Sequence, residues 1–487
     1  MSGPSGALRE ILERIEQGAA GSPHAADAAA IRARLDGPLR VAIAGRVKAG
    51  KSTLLNALVG ERIAPTDAGE CTRLVTWYER ADQYGVRAEL AAGGAVTLPF
   101  RRAGSSLEVD LGALTVEQVT SLHVGWPTSV LADVTFIDTP GLASLNDENS
   151  ARTREFLEVH DGDGTDADAV IFLMRHVHRV DLGFLDAFMD RTVTGSSPVN
   201  SVAVLSRADE IGGGRPDAMV SAARIAARYA TDPEVRTRCA TVVPLAGLLA
   251  ESALTFREDE AAAIRMLAGA DGELVDDMLL SIDQFCDLGA SDLTVEVRRA
   301  LLDRLGLFGV RIAVDAARHR GVTSAAGLAQ LLLDASGLPE LRRLLAEQFT
   351  PRATVLKART CLTRVRALAD RLAADHPELA ARVRADLERL EVTSVDFARI
   401  RAAHLVGSGL VDVPDEDREH LHRVLTAVEP ATTLAVAGDA TADERKQAVL
   451  QDIGRFRAVA GDPLQPPLIV EVYEAAARTC ESVYVTL

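Results

Sequence analysis

The chain has 487 residues, 47% of them hydrophobic and 25% charged, enough apolar material for more than one globular core. Its formal net charge is −17, from 70 acidic against 53 basic residues. That balance excludes general affinity for nucleic acid and adhesion of the whole surface to anionic lipid, both of which need a basic footprint.

Cys71, Cys239, Cys286, Cys361 and Cys480 are scattered, without CxxC or metal-ligand spacing, as expected of reduced thiols in a cytoplasmic protein. Leu8, Ile11, Leu12 and Ile15 recur at helical spacing near the start, where a signal peptide would carry a basic region and then an apolar one. No apolar run approaches the roughly 20 residues of a membrane span, so a soluble protein is expected, with any membrane contact peripheral.

Residues 5–36 read as two amphipathic helices broken near Gly18–Pro23. Short β-branched runs then alternate with helices. Residues 41–44, 134–137, 170–173, 202–205 and 241–243 are continuously apolar, the signature of parallel strands covered on both faces. Segments 72–78, 84–90 and 95–100 read as added hairpin strands, with Gly93–Gly94 as a turn. Beyond Leu249 strand signals cease. Helical segments follow at 258–269, 273–285, 293–319, 323–335, 338–349, 352–374, 377–391, 394–405, 414–428, 442–459 and 468–485, several punctuated by proline. The fold class expected is an α/β domain, mostly parallel sheet with helices on both faces, flanked by helices.

Residues Gly45-Arg46-Val47-Lys48-Ala49-Gly50-Lys51-Ser52 match GxxxxGK(S/T) between an apolar strand and the helical run Thr53–Val59. Glycines let backbone N–H groups wrap a phosphate, and the helix N-terminus adds a favourable dipole. Lys51 neutralises β/γ-phosphate oxygens and the Ser52 hydroxyl is a Mg²⁺ ligand. Only four lysines occur, and two, Lys48 and Lys51, stand in this loop. Asp138-Thr139-Pro140-Gly141 closes the next strong strand, where Asp138 can hold Mg²⁺ through water and Gly141 can offer its N–H to a γ-phosphate.

Ser206-Arg207-Ala208-Asp209 ends the strand 202–205, where a guanine-reading (N/T)KxD element belongs. A carboxylate there accepts from guanine N1–H and the exocyclic amine, and Arg207 can cover the base face; the bland alternative is a surface Asp–Arg pair. Thr72 is the choice for the threonine completing the Mg²⁺ shell, with Thr66 and Thr76 as competitors. His176 and His178 share a strand face but lack a third ligand, so they read as strand-end residues rather than a metal pair.

Together, GRVKAGKSTLLNALVG, ECTRLVTWY, DTPG and LSRADE resemble the bacterial dynamin-like GTPases, in particular the shorter chains of the actinobacterial isoniazid-inducible pairs. The resemblance implies a GTPase domain over 38–350 with a helical elaboration at 251–335, closed by Ser336-Gly337-Leu338-Pro339-Glu340-Leu341. Residues 1–37 are expected to pack with a C-terminal helical bundle, 351–487, as a neck or stalk. It implies GTP hydrolysis with Mg²⁺ and GTP/GDP as substrate and product. Gly45, Ala49, Gly50, Lys51, Ser52, Thr53, Asp138, Gly141, Ser206, Arg207 and Asp209 would bind the nucleotide, and Ser52, Thr72 and Asp138 the metal. The catalytic set would be Lys48, Lys51, Ser52 and Thr72.

Implied partners are a second copy through the GTPase domain, a longer dynamin-like chain, and the inner face of the plasma membrane, with no nucleic acid. Two departures stand out. Val47 and Lys48 occupy positions where eukaryotic dynamins carry Gln and Ser and guanylate-binding proteins place a catalytic arginine at the second, and Leu142 follows Gly141 where Ras-like proteins carry glutamine. Lys48 is read as a transition-state cation, or else as a solvated loop lysine. These departures leave a GTP-binding structural subunit as the rival reading. The apolar turns 405–411 and 433–437 are lipid contacts in one reading and buried helix-hairpin turns in the other.

Overall fold

The computed structural model describes residues 3–64, 74–103, 106–140, 167–175, 200–236, 238–287, 292–426 and 440–487. Helices α1 (Pro4–Gly18) and α2 (Pro23–Asp36) each carry proline in the first turn, where its missing N–H costs nothing. Strand β1 (Leu39–Gly45) leads into α3 (Lys51–Val59). Strands β2 (Val75–Arg80), β3 (Gly85–Leu90), β4 (Ala95–Leu98), β5 (Phe100–Ala103), β6 (Ser106–Val109) and β7 (Val119–Trp126) follow. Then come β8 (Val134–Asp138), β9 (Ala169–Met174), β10 (Ser201–Ser206), α4 (Ala218–Thr231), α5 (Pro233–Arg236) and β11 (Thr241–Leu245).

Nine strands form one sheet in the order β11-β10-β9-β1-β8-β2-β7-β3-β4. The first five run parallel, with Val41 opposite Ala169 and Phe136, while β2 turns antiparallel to β8. Side chains alternate across β1 with the period of two that a strand imposes. Leu39, Val41 and Ile43 pack with Leu54 and Leu55 of α3 on one face. Ala42 and Ala44 pack with Phe172, Ala222 and Ala226 on the other.

Two features depart from the sequence-based expectation. β7 lies between β2 and β3, so those two are not a hairpin; β3 and β4 are. β5 and β6 form a separate two-stranded ribbon. Residues 121–126 do alternate apolar and polar side chains, but nothing local states that their partner is β2, some forty residues earlier.

After β11 the described residues are helical: α6 (Gly247–Leu254), α7 (Glu258–Gly269), α8 (Gly272–Met278), α9 (Ile282–Asp287), α10 (Val295–His319), α11 (Ala325–Ala335) and α12 (Leu338–Gln348). Leu249, Ile264, Leu305, Phe308 and Leu328 centre the core shared by α6, α7, α10 and α11. The expected helix 273–285 is two helices, and α10 is broken at Gly306, whose φ of 66° and ψ of 171° no helix accommodates. Gly337 has φ 82°, and a Cβ there would stand 2.4 Å from the Pro244 carbonyl oxygen; only glycine lets α12 begin against β11.

The last helices are α13 (Ala353–Leu372), α14 (Pro377–Thr393), α15 (Val395–Ser408), α16 (Asp415–Thr426), α17 (Ala442–Ala460) and α18 (Pro467–Thr486). Leu8, Leu12, Ile15 and Ile31 of the N-terminal pair bury against Leu362, Val365, Leu368 and Val383 of α13 and α14. Leu405, Leu421, Phe456 and Tyr473 centre a second bundle of α15 to α18. Beneath the sheet, Arg34 of α2 forms a buried ion pair with Asp168, whose Oδ2 also accepts the Arg40 N–H at 2.9 Å. Lys357 of α13 donates to the Gly37 carbonyl at 2.7 Å. In the turn 405–411, Leu405, Val406 and Val411 are buried and Leu410 is exposed, and Arg236 Nε donates to the Gly407 carbonyl at 3.2 Å. Residues 433–437 lie outside the described residues. No helix among the described residues is long and apolar enough to cross a membrane.

Candidate nucleotide-binding site

The carboxyl ends of β1, β8, β9, β10 and β11 share one edge of the sheet. After β1 the chain reaches β8 on one side and then β9 on the other, and this reversal opens the crevice in which such sheets bind ligands. The loop from Gly45 to Ser52 stands at that point. Gly45 has φ 151°, and a Cβ would lie 2.5 Å from the Leu173 carbonyl oxygen, so β9 passes where any larger residue would collide. Gly50 caps α3 in the left-handed region at φ 96°. Lys48 also adopts positive φ, 62°, uncommon for a non-glycine residue. Ala49 is buried at the base of the loop.

Lys51 Nζ donates to the carbonyls of Gly45 at 3.2 Å and Arg46 at 3.3 Å. Burial lowers its pKa, opposed by the charge of Asp138. Ser52 Oγ donates to Asp138 Oδ2 at 2.9 Å. Burial raises the Asp138 pKa, against the pull of Lys51 and the Ser52 hydrogen bond. Asp138 Oδ1 is buried with no hydrogen-bond partner among the described residues. A hydroxyl and a carboxylate with an unshared oxygen, at the amino end of a helix, form an all-oxygen donor set suited to Mg²⁺. Thr139, which the sequence reading passed over, is buried and donates through Oγ1 to the Ile43 carbonyl at 3.0 Å, tying the end of β8 to β1. Its signal was its place inside DTPG.

At the other end of the crevice Ser206 Oγ donates to the Met174 carbonyl at 3.3 Å. Arg207, at φ 53°, donates to Glu210 at 2.8 Å and to the Lys48 carbonyl at 3.2 Å. The loop after β10 and the Gly45–Ser52 loop are thereby joined through one guanidinium. Asp209 is half-buried, and desolvation lifts its carboxyl to about 6. Thr53, next along α3, approaches Gly247, which opens α6 just after β11. Sequence reading did not single out residues 245–247, although a sheet-edge position after the last parallel strand is a signal in itself.

Structure thus brings Gly45, Lys48, Ala49, Gly50, Lys51, Ser52, Thr53, Asp138, Ser206, Arg207 and Asp209 to one crevice. Thr72, Thr66, Gly141, Leu142, His176 and His178 lie outside the described residues. Thr76 is described, buried in β2 opposite Asp138, with its hydroxyl donating to the Leu74 carbonyl at 3.4 Å. Cys239, Cys286, Cys361 and Cys480 are buried free thiols.

A glycine-wrapped loop whose lysine and serine meet a strand-end aspartate, with a second aspartate at the far end of the crevice, defines a P-loop nucleotide-binding protein. Residues 41–181 match the model described as the dynamin family. Over 456 residues the chain is 37% identical to the isoniazid-induced protein IniC of Mycobacterium tuberculosis, covering 93% of this chain and 91% of that one. The chain therefore belongs to the dynamin-like GTPase family. It is also similar to the isoniazid-induced protein IniA of the same organism, 33% identical over 147 residues, 29% of this chain and 22% of IniA. Dynamin-like protein 2 of Campylobacter jejuni is 29% identical over 126 residues, 26% of this chain and 20% of that protein. A solved chain from an oligomerised bacterial dynamin pair covers 98% of this chain and 85% of its own length at 13% identity and a TM-score of 0.33, too loose a match to argue from.

Proposed function

We propose that the protein hydrolyses GTP and couples association of its nucleotide-binding domain, residues 38–350, to movement of the helices formed by 1–37 and 351–487. The observation carrying this reading is the Lys51, Ser52 and Asp138 cluster at the mouth of the Gly45–Ser52 loop. Backbone N–H groups at the amino end of α3 receive the β-phosphate, and Lys51 exchanges its two loop carbonyls for phosphate oxygens. Mg²⁺ held by Ser52, by Asp138 through water and, following the family pattern, by Thr72 would neutralise charge shared by the β- and γ-phosphates. Asp209 selects guanine by accepting from N1–H and the exocyclic amine, and Arg207 covers the base.

Lys48 stands at the loop's outer turn, where a second copy would bring its ammonium to the charge developing on the γ-phosphate. Membrane remodelling or maintenance is the setting, alongside a longer dynamin-like chain, and peripheral contact with the inner face of the plasma membrane is the location; the kinship with IniC and IniA supports the pairing. Val47, and Leu142 in place of a water-orienting glutamine, favour a second reading, a GTP-binding structural subunit with little hydrolysis.

GTP and ATP turnover measured across protein concentration, with and without anionic liposomes, separates the two. Specific activity that rises with concentration, prefers GTP and is lost in Lys48→Ala supports the enzyme. Tight GTP binding with flat, near-zero turnover supports the structural subunit.

A further inference from the structure

Three consecutive glycines follow the base-side aspartate, and all are left-handed: Gly212 at φ 66°, Gly213 at 76° and Gly214 at 68°. Such a run loses more conformational freedom on folding than any other three residues would, so its geometry has to be imposed from outside. The Arg311 side chain of α10 imposes it. Nη1 donates to the Gly213 carbonyl at 2.9 Å and also to that of Gly214. Nε donates to the Leu279 carbonyl at 2.8 Å, and Nη2 to the Leu280 carbonyl at 3.0 Å. One planar fork thus joins the loop after Asp209, the turn after α8, and α10 itself.

The same helix passes close beside the aspartate. At the Gly306 break a Cβ would stand 3.4 Å from Asp209 Oδ2, and a Cβ on Gly214 would stand 3.4 Å from both the Asp209 carbonyl oxygen and the Phe308 nitrogen. Arg311 lies one helical turn beyond Leu307, on the face that the break turns toward the loop. An aspartate that must accept two hydrogen bonds from one base edge has to be held to within about half an ångström; Ala208 and Ile211 pack into the core on one side, but residues 212–214 have no side chain that could hold the loop on the other.

We infer that α10 is a part of the base-recognition apparatus, with Arg311 a positioning residue that fixes the Asp209 loop for guanine through main-chain carbonyls. The inference rests on the reading of Asp209 as the guanine-selecting carboxylate. Lysine cannot replace Arg311, because a single ammonium does not span carbonyls on two segments with fixed geometry.

The test uses the full-length protein and fluorescent GDP and ADP, with pyrophosphate as a competitor that reports the phosphate loop alone. Arg311→Ala is expected to lower the GDP-to-ADP affinity ratio by roughly tenfold, the effect of misplacing hydrogen bonds to a charged acceptor, while pyrophosphate affinity stays constant. Arg311→Lys should lower the ratio by a smaller factor, and it serves as the readout if the alanine variant fails to fold. Gly306→Ala, which places a methyl against Asp209 Oδ2, should lower it as well. An unchanged ratio, or equal losses for GDP, ADP and pyrophosphate in a folded protein, overturns the inference. Asp209→Asn tests the premise separately: it should transfer preference from GDP to xanthosine diphosphate, whose 2-carbonyl accepts from the asparagine amide. If it does not, the assignment of Asp209 fails, and the role of Arg311 falls with it.

Discussion

Replacing Asp209 with asparagine should make the nucleotide-free protein more stable at neutral pH. Desolvation by burial is the main cause of the raised Asp209 pKa, with Glu210 adding to it and the residue's own backbone hydrogen bond and Arg207 opposing. The carboxyl moves from an ordinary 3.8 to about 6. A shift of about two units, at about 1.36 kcal/mol each, penalises the ionised form by about 3 kcal/mol. Partial exposure and relaxation of the glycine loop reduce the expected gain to about 1–2 kcal/mol.

The sign follows from linkage. Between about pH 4 and pH 6 the folded state holds this proton more tightly than the unfolded state, so the carboxyl's cost grows as pH rises through that window and is complete above it. Thermal midpoints of both proteins, measured free of nucleotide from pH 5 to pH 8, test the reasoning. The asparagine variant should melt about 1–3 °C higher at pH 7–8, and the gap should narrow toward pH 5. An asparagine variant that melts at or below the parent at pH 7, or a gap independent of pH, refutes it. Such a result would mean that the crevice does not hold a destabilised carboxylate.

Two further outcomes follow from buried contacts. Arg34→Ala leaves Asp168 charged and buried beneath the sheet and should destabilise the protein by about 3–5 kcal/mol, measured by urea unfolding. Adding Asp168→Asn should recover part of that loss, and a double variant no better than the single one would argue against an uncompensated charge as the cause. Gly45→Ala drives a methyl to within 2.5 Å of the Leu173 carbonyl oxygen. It should abolish measurable GTP binding and cost more than about 2 kcal/mol of stability; retained binding in a calorimetric titration would show that the loop has room that the close approach to β9 denies.

Much of the geometry at the carboxyl ends of β1 and β8 was readable from residues 45–52 and 138–139, because a P-loop is local. Strand end, glycine turn and helix start are contiguous, so the order of residue types largely dictates the backbone. The five parallel strands were legible for a related reason: a strand covered on both faces is apolar along its whole length, as at 170–173 and 202–205. Helix boundaries in the second half were also legible, since proline and capping residues such as Thr294, Ser324, Ser394 and Thr441 act within one turn.

Other features waited on the tertiary structure. Ser121–Trp126 alternates as a strand should, yet its insertion between β2 and β3 pairs it with strands tens of residues earlier in the chain. The pairing of Arg34 with Asp168 joins residues 134 apart in the chain, and that of Arg311 with Gly214 joins residues 97 apart. Neither arginine carries a local signal, because each satisfies its donors on groups supplied by other elements. Gly306 looks like a mere weak point in a helix until α10 is seen against Asp209. By itself the sequence determined the glycine-rich loop after β1 and the alternation of apolar strands and helices, since both arise from interactions over a few residues. The tertiary structure alone decided what surrounds the Asp209 carboxylate, because desolvation and carbonyl-clamping depend on surfaces brought together only after the chain has folded.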